Sequence, residues 1–172
     1  KKKKLIVFVG RLNKSKGYDI FGEAILKILD KHNDWKGIVY GDEPRENIVF
    51  KHKNLKIFGF KKHNQILKKL EIASISIACS RWEEPFGRTA LEASSRGCAV
   101  IISNRGGLPE AASYGIKLRT LNSTNLFKSI EKLILNSDYR INLQKKILKK
   151  FNLSNEYICQ KIDNYRENLM KS

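Results

Sequence analysis

The stretch from Ser80 to Glu110, SRWEEPFGRTALEASSRGCAVIISNRGGLPE, decides the fold. The residues in front of it, Ala73-Ser-Ile-Ser-Ile-Ala-Cys79, read as a buried strand whose carboxyl end opens into a loop at Ser80. Pro85 biases Glu84 toward an extended backbone. From Gly87 the pattern changes to helix formers, Arg88 to Arg96, stopped by Gly97 where a C-terminal cap is expected. A second apolar strand follows at once, Cys98 to Ile102. The result is a strand, loop, helix, strand unit, with Glu84 before the helix and Glu92 within it, seven residues between them.

The rest of the chain repeats that alternation. Leu5 to Val9 is a continuous apolar run, as in a strand covered on both faces, and it ends at Gly10. After the loop Arg11–Gly17, residues Ile20, Phe21, Ala24, Ile25, Ile28 and Leu29 share one helical face. Gly37–Tyr40 reads as a strand stopped by the turn Gly41-Asp42-Glu43-Pro44, and Leu55–Phe60 as another. Between them, Glu46–Lys53 suits either a short helix or a strand. His63–Ile72 is helical and delivers the chain to the strand before Ser80, and one more strand is expected at Gly115–Arg119. Beyond it only helices follow, through Leu126–Ile134, Tyr139–Phe151 and a last helix capped by Ser154 with Ile158, Ile162, Tyr165 and Leu169 on one face. Alternating strands and helices with short connections predict an α/β fold built on a doubly wound parallel sheet with C-terminal helices.

In such a sheet, ligands bind outside the carboxyl ends of the strands, where helix N-termini also point. The free backbone N–H groups of Gly87, Arg88 and Thr89 suit a phosphate anion. Glu84 and Glu92 beside them cannot bind phosphate, because like charges repel. They suit hydroxyl groups, which a nucleotide sugar offers on both ribose and hexose. Arg11 and Lys16, in the loop after the first strand, supply cations for a diphosphate. That loop is no P-loop, since Ser15 stands where the second glycine is needed, and no dinucleotide fingerprint, which fails at Leu12. A glycoside hydrolase also uses two carboxylates, on opposite sides of its scissile bond. It has no use for Arg11, Lys16 and a helix N-terminus aimed at a leaving diphosphate.

The run EPFGRTALE followed by EASSRGCAVIISNRGGLPE resembles the donor-site signature of retaining glycosyltransferases of the GT-B fold, group 1 (family 4). Gly10-Arg11-Leu12 with Lys16-Gly17 resembles that family's phosphate-contact loop. The resemblance implies one Rossmann-like half of a GT-B fold, with residues 1–172 forming the nucleotide-sugar-binding C-terminal domain. The chain's own acceptor-binding N-terminal domain is then its partner, and this piece alone transfers little or nothing. It implies an NDP-sugar donor, retention of anomeric configuration, no cofactor and no metal, protein cations taking the metal's role. By residue, it implies that Arg11 and Lys16 contact the diphosphate, that Glu84 holds the transferred sugar and that Glu92 bonds the ribose. The backbone of Phe86 and Gly87, with Arg88 and Thr89, lies by the sugar and phosphates. Gly10, Gly41, Gly59 and Phe60 border the nucleotide, and Gly106 and Gly107 allow close backbone approach to it, with Glu110 closing the motif. Similarity of EPFGR and SSRGCAVIISNRGGLPE to mannosyltransferases of lipopolysaccharide core assembly points to GDP-mannose.

At 172 residues the chain holds one domain with a real core. A net charge of +17 calls for anionic partners: nucleic acid, acidic phospholipid or phosphorylated metabolites. A basic nucleic-acid-binding module is the alternative reading, but no RNA-binding aromatic motif, zinc ligand set or recognition helix supports it. Lys145, Lys146, Lys149 and Lys150 suit peripheral contact with an anionic inner leaflet, and lysine enrichment from an AT-rich coding background gives the same composition. Cys79, Cys98 and Cys159 read as free thiols in a reducing, cytoplasmic setting. No membrane span or signal peptide is expected. His32, His52 and His63 are expected at the surface without partners, and none is nominated as a base.

Overall fold

The computed structural model describes residues 1–170. A six-stranded parallel sheet carries strands β1 (Lys3–Val9), β2 (Lys36–Tyr40), β3 (Leu55–Ile57), β4 (Ala73–Ala78), β5 (Ala99–Ser103) and β6 (Ile116–Leu118) in the order β3-β2-β1-β4-β5-β6. The helices are α1 (Tyr18–Lys31), α2 (His63–Ile72), α3 (Arg88–Ser95), α4 (Leu108–Ala111), α5 (Ser123–Leu135), α6 (Ser137–Lys149) and α7 (Asn155–Met170). The order of connection reverses between β1 and β4, so the helices that follow them, α1 and α3, lie on opposite faces of the sheet and a crevice opens above the carboxyl ends of these strands.

The sheet is buried on both faces, which is why its strands read as unbroken apolar runs. In β1, Ile6 and Phe8 pack toward α1 and α5, whereas Leu5 and Val7 pack toward α2, α3 and α6. Alternate side chains of a strand point to opposite faces, so one run serves two cores. Ile25, Ile28 and Leu29 of α1, with Leu126, Ile130 and Leu133 of α5, complete the first. Leu70, Ala90, Ala93 and Ile147 complete the second. Each fully buried aliphatic side chain here stabilises the fold by about 1.5–3 kcal/mol.

Three elements differ from expectation. The Glu46–Lys53 segment is neither helix nor strand: it runs as a loop that drops Ile48 and Phe50 onto the first core, with Phe50 edge-on to Tyr18 at 5.5 Å. β3 stops at Ile57, because Phe58 turns to stack on Tyr40 and Gly59 takes a left-handed φ of 63°. The turn Gly106–Gly107 is followed by the short helix α4, which has Pro109 in its first turn. His63 is exposed as expected and His32 and His52 are half-buried, and each histidine has an acidic partner that its spacing did not signal. His32 meets Glu131 at 3.3 Å, His52 meets Asp30 at 3.2 Å, and His63 meets Glu92 at 3.0 Å.

At the opposite pole, where strands begin and helices end, cations occupy the carbonyl ends of the helices. Lys2 Nζ donates to the carbonyl oxygens of Leu70 and Arg96 at 3.0 and 2.6 Å, and Arg140 donates to that of Leu133. Cations are favoured at helix C-termini, so part of the excess positive charge has a structural use. Among the described residues no helix is long and apolar enough to cross a membrane.

Candidate functional site

The site is built from four loops at the carboxyl edge of the sheet. The first, Gly10–Gly17, is shaped by Asn13, which is buried. Its Oδ1 accepts from Lys16 N at 3.0 Å and Ser15 Oγ at 3.2 Å, and its Nδ2 donates to Glu43 Oε2 at 3.1 Å. Glu43 is buried in turn, and Arg45 donates to it at 2.7 and 3.1 Å. The hydrogen bonds from Arg45, joined by that from Asn13, outweigh burial and hold the Glu43 carboxyl down to about 2.

Ser15 ties this loop to the one after β4. Its carbonyl oxygen accepts from Arg81 N at 2.8 Å, Ser80 Oγ at 3.0 Å and Trp82 N at 3.2 Å. Ser103 Oγ donates to the Ser80 carbonyl at 2.6 Å, which ties in the loop after β5. Arg81 pairs with both carboxylate oxygens of Asp19, at 2.6 and 2.7 Å. Asp19 lies in the first turn of α1 and accepts from backbone N–H groups there, so the N-terminus of α1 is already satisfied.

α3 is different. Like α1 it starts at a left-handed glycine without a side-chain cap bond, here Gly87 with φ 83°, but it has no acidic residue in its first turn. Ala90 and Leu91 donate to the Gly87 carbonyl oxygen, which leaves the amides of Arg88 and Thr89 aimed outward. They face a cavity of about 310 Å³ walled by Gly10, Lys16, Glu84, Phe86 and Gly87. Inside it Lys16 Nζ meets Glu84 Oε1 at 2.5 Å, with 28% and 14% of the two side chains exposed. A cation, a carboxylate and open amides therefore line one hollow, a combination that receives an anion bearing hydroxyl groups.

A second cavity of about 310 Å³ adjoins it across Val9 and Gly10, lined by Arg11, Tyr40, Gly41, Asp42, Phe60 and Ile66. Gly41 sits tightly on Gly10, since a Cβ there would lie 1.8 Å from the Gly10 carbonyl oxygen. Phe60 is 79% exposed, an aromatic face free to meet a planar ligand.

The structure thus brings Gly10, Lys16, Glu84, Phe86, Gly87, Arg88 and Thr89 to one cavity, and Arg11, Gly41 and Phe60 to its neighbour. Arg11 is not on the wall that holds Lys16, because the chain turns at Gly10 between the two hollows. Glu92 lines neither; it is 16% exposed and its Oε1 pairs with His63 and, at 3.7 Å, Arg88. Gly59 acts on Gly41, whose amide donates to the Gly59 carbonyl oxygen at 2.9 Å. Gly106 and Gly107 also line neither cavity. They let the β5 loop press against the Glu84 loop: Gly107 N donates to the Glu84 carbonyl oxygen at 2.7 Å, and a Cβ on Gly106 would lie 2.2 Å from that oxygen. Glu83 reinforces this, accepting from Gly106 N at 2.5 Å and Arg105 at 3.0 Å, and the Arg105 hydrogen bond above all draws its carboxyl below the usual range. Sequence reasoning missed Asn13, Glu43, Ser80 and Ser103. The Asn13-x-Ser15 turn pattern signals the first, whereas nothing local marks the other three. Among the described residues no cluster of three or more His, Cys, Asp or Glu gathers to hold a metal ion.

The six-stranded parallel α/β layer, with its crevice at the topological switch point, is the fold of the C-terminal domain of a group 1 glycosyltransferase of the GT-B type. The chain belongs to the family described as glycosyl transferases group 1, which it matches over residues 1–150. It is 33% identical over 129 residues to spore coat protein SA of Bacillus subtilis, covering 66% of this chain and 33% of that protein. It is 28% identical over 166 residues to an uncharacterized glycosyltransferase of Methanocaldococcus jannaschii, covering 88% of this chain and 42% of that one. The chain therefore spans between a third and a half of the length of these relatives. The C-terminal domain of a group 1 glycosyl transferase (LpcC) from Francisella tularensis superposes with a TM-score of 0.76 at 25% identity, covering 89% of each chain.

Proposed function

We propose that the chain binds a nucleoside-diphosphate sugar and, completed by an N-terminal acceptor-binding domain, transfers the hexosyl group with retention of anomeric configuration. The observation that carries this is the Lys16–Glu84 pair at the mouth of the uncapped N-terminus of α3. The pyrophosphate sits on the amides of Gly87 to Thr89, beside Arg88. Lys16 turns from Glu84 to a phosphate oxygen, and Glu84 is released to accept hydrogen bonds from the hexose hydroxyls. Arg11 reaches the diphosphate from the other side of Gly10. As the glycosidic bond to the diphosphate breaks, these cations and amides stabilise the charge on the departing group. Glu84 meanwhile holds the anomeric carbon open to an acceptor hydroxyl. The base lies in the second cavity against Phe60, and Glu92 accepts from the ribose. The scheme uses no metal and no cofactor.

We take the donor as GDP-mannose and the acceptor as a lipid-linked glycan such as lipopolysaccharide core, on the similarity of EPFGR and the residues after it. Asp42 supports guanine, whose N1–H and N2–H would both donate to one carboxylate on the wall of the second cavity. The enzyme works in the cytoplasm, with its lysine-rich helices touching an anionic leaflet. Alone, the 172 residues bind donor weakly and turn over little. A thermal-shift panel of GDP, UDP and ADP with their sugars tests the reading. It requires stabilisation by one nucleotide series. Stabilisation by none of them, with salt-sensitive binding to random oligonucleotides instead, would overturn it.

A further inference from the structure

His63 touches the carboxylate of Glu92, one turn of α3 beyond two residues that line the first cavity. It is the first residue of α2, and its Nε2 lies 3.0 Å from Oε1 of Glu92 on α3, with 54% of the histidine side chain exposed and 16% of the glutamate. Arg88 approaches the same oxygen at 3.7 Å. Both neighbours thus gather on Oε1. The position matters as much as the contact. Arg88 and Thr89, one turn before Glu92, line the first cavity, and Phe60 and Lys61, just before His63, line the second. The pair lines neither hollow itself, but its chain neighbours wall both, Arg88 and Thr89 the one suited to phosphates and Phe60 and Lys61 the one suited to a planar base.

We propose that His63 is a positioning residue for nucleotide recognition. By engaging Oε1 it fixes the rotamer of Glu92 so that Oε2 accepts a hydroxyl of the nucleotide ribose. A glutamate side chain left alone has three rotatable bonds, and holding it in one arrangement before the ligand arrives lowers the entropy lost on binding. Arg88 cannot do this by itself, being 76% exposed and at the longer distance. Without His63 it would also swing toward the phosphates, leaving Glu92 unsupported.

The inference rests on the nucleotide-sugar reading, and the test separates the two. Dissociation constants are measured by titration calorimetry on the 172-residue chain for the nucleoside diphosphate that stabilises it and for its 2′,3′-dideoxy counterpart. The unaltered chain should favour the ribonucleotide at least about tenfold. His63→Ala should weaken the ribonucleotide about fivefold and leave the dideoxy compound unchanged, so that the preference collapses, and His63→Gln, which keeps a donor at that reach, should restore it. Glu92→Gln should lose the preference as well. Equal weakening of both ligands in His63→Ala, or no change in either, would overturn the role of His63 while leaving the cleft intact. Failure of the unaltered chain to bind any nucleoside diphosphate would overturn the reading of the cleft, and this proposal with it.

Discussion

Lys16 and Glu84 neutralise each other across the cleft, and each is useful only when the other has somewhere else to go. Lys16→Ala should weaken nucleoside diphosphate binding by about 10–100-fold, the size of one charge-assisted hydrogen bond, as read by titration calorimetry. Glu84→Gln should leave the diphosphate affinity equal or better, because Lys16 is freed, and should abolish any preference for the sugar-bearing nucleotide. Loss of the bare diphosphate in Glu84→Gln would contradict this division of labour. Glu43 gives a pH signature of its own. Its carboxyl is held near 2 against an ordinary 4.5, so it favours the folded state above about pH 4.5, and that contribution fades as pH falls toward 2. Denaturant unfolding followed from pH 6 downward should therefore lose stability more steeply in the unaltered chain than in Glu43→Gln. Identical slopes would mean that Arg45 and Asn13 do not hold Glu43 in solution.

At the scale of elements, what could be read in advance was what lies close along the chain. Glu84, Gly87 and Glu92 share one strand, loop, helix unit, so their spacing alone set them at the end of a strand and the start of a helix. Lys16 was legible because Gly10 closes an unbroken apolar strand. His63 was not, since its meeting with Glu92 depends on how α2 packs beside α3, and nothing at position 63 announces a neighbour 29 positions later. The same holds for Gly106 and Gly107: glycine allows close approach, and only the fold shows that the Glu84 loop packs against them. Gly106→Ala, at φ 47° and with a Cβ 2.2 Å from the Glu84 carbonyl oxygen, should cost about 1–3 kcal/mol and lower the melting temperature. An unchanged melting temperature would show that the two loops are not tightly joined. Elements also set thiol reactivity. Cys79 and Cys98 are buried beside the central strands, where desolvation pushes their thiols up to about 12 and about 11, whereas Cys159 is exposed on α7. A thiol reagent at neutral pH should modify Cys159 alone in the folded chain and all three cysteines after denaturation. Rapid labelling of a second cysteine would mean that the sheet opens.

As a whole, the molecule is polarised. Open amides gather at the carboxyl edge of the sheet beside Lys16, and capping cations such as Lys2 and Arg140 gather at the other. The first arrangement suits an anion; the second completes helix ends. The net charge of +17 therefore includes cations with a structural use, which the sum alone does not reveal. The most direct measurement is a crystal structure of the 172 residues with a bound nucleoside diphosphate. The diphosphate oxygens should lie about 3 Å from the amides of Arg88 and Thr89, with Lys16 Nζ moved from Glu84 onto a phosphate. A nucleotide bound elsewhere, with Lys16 still on Glu84 and those amides turned to solvent, would contradict it.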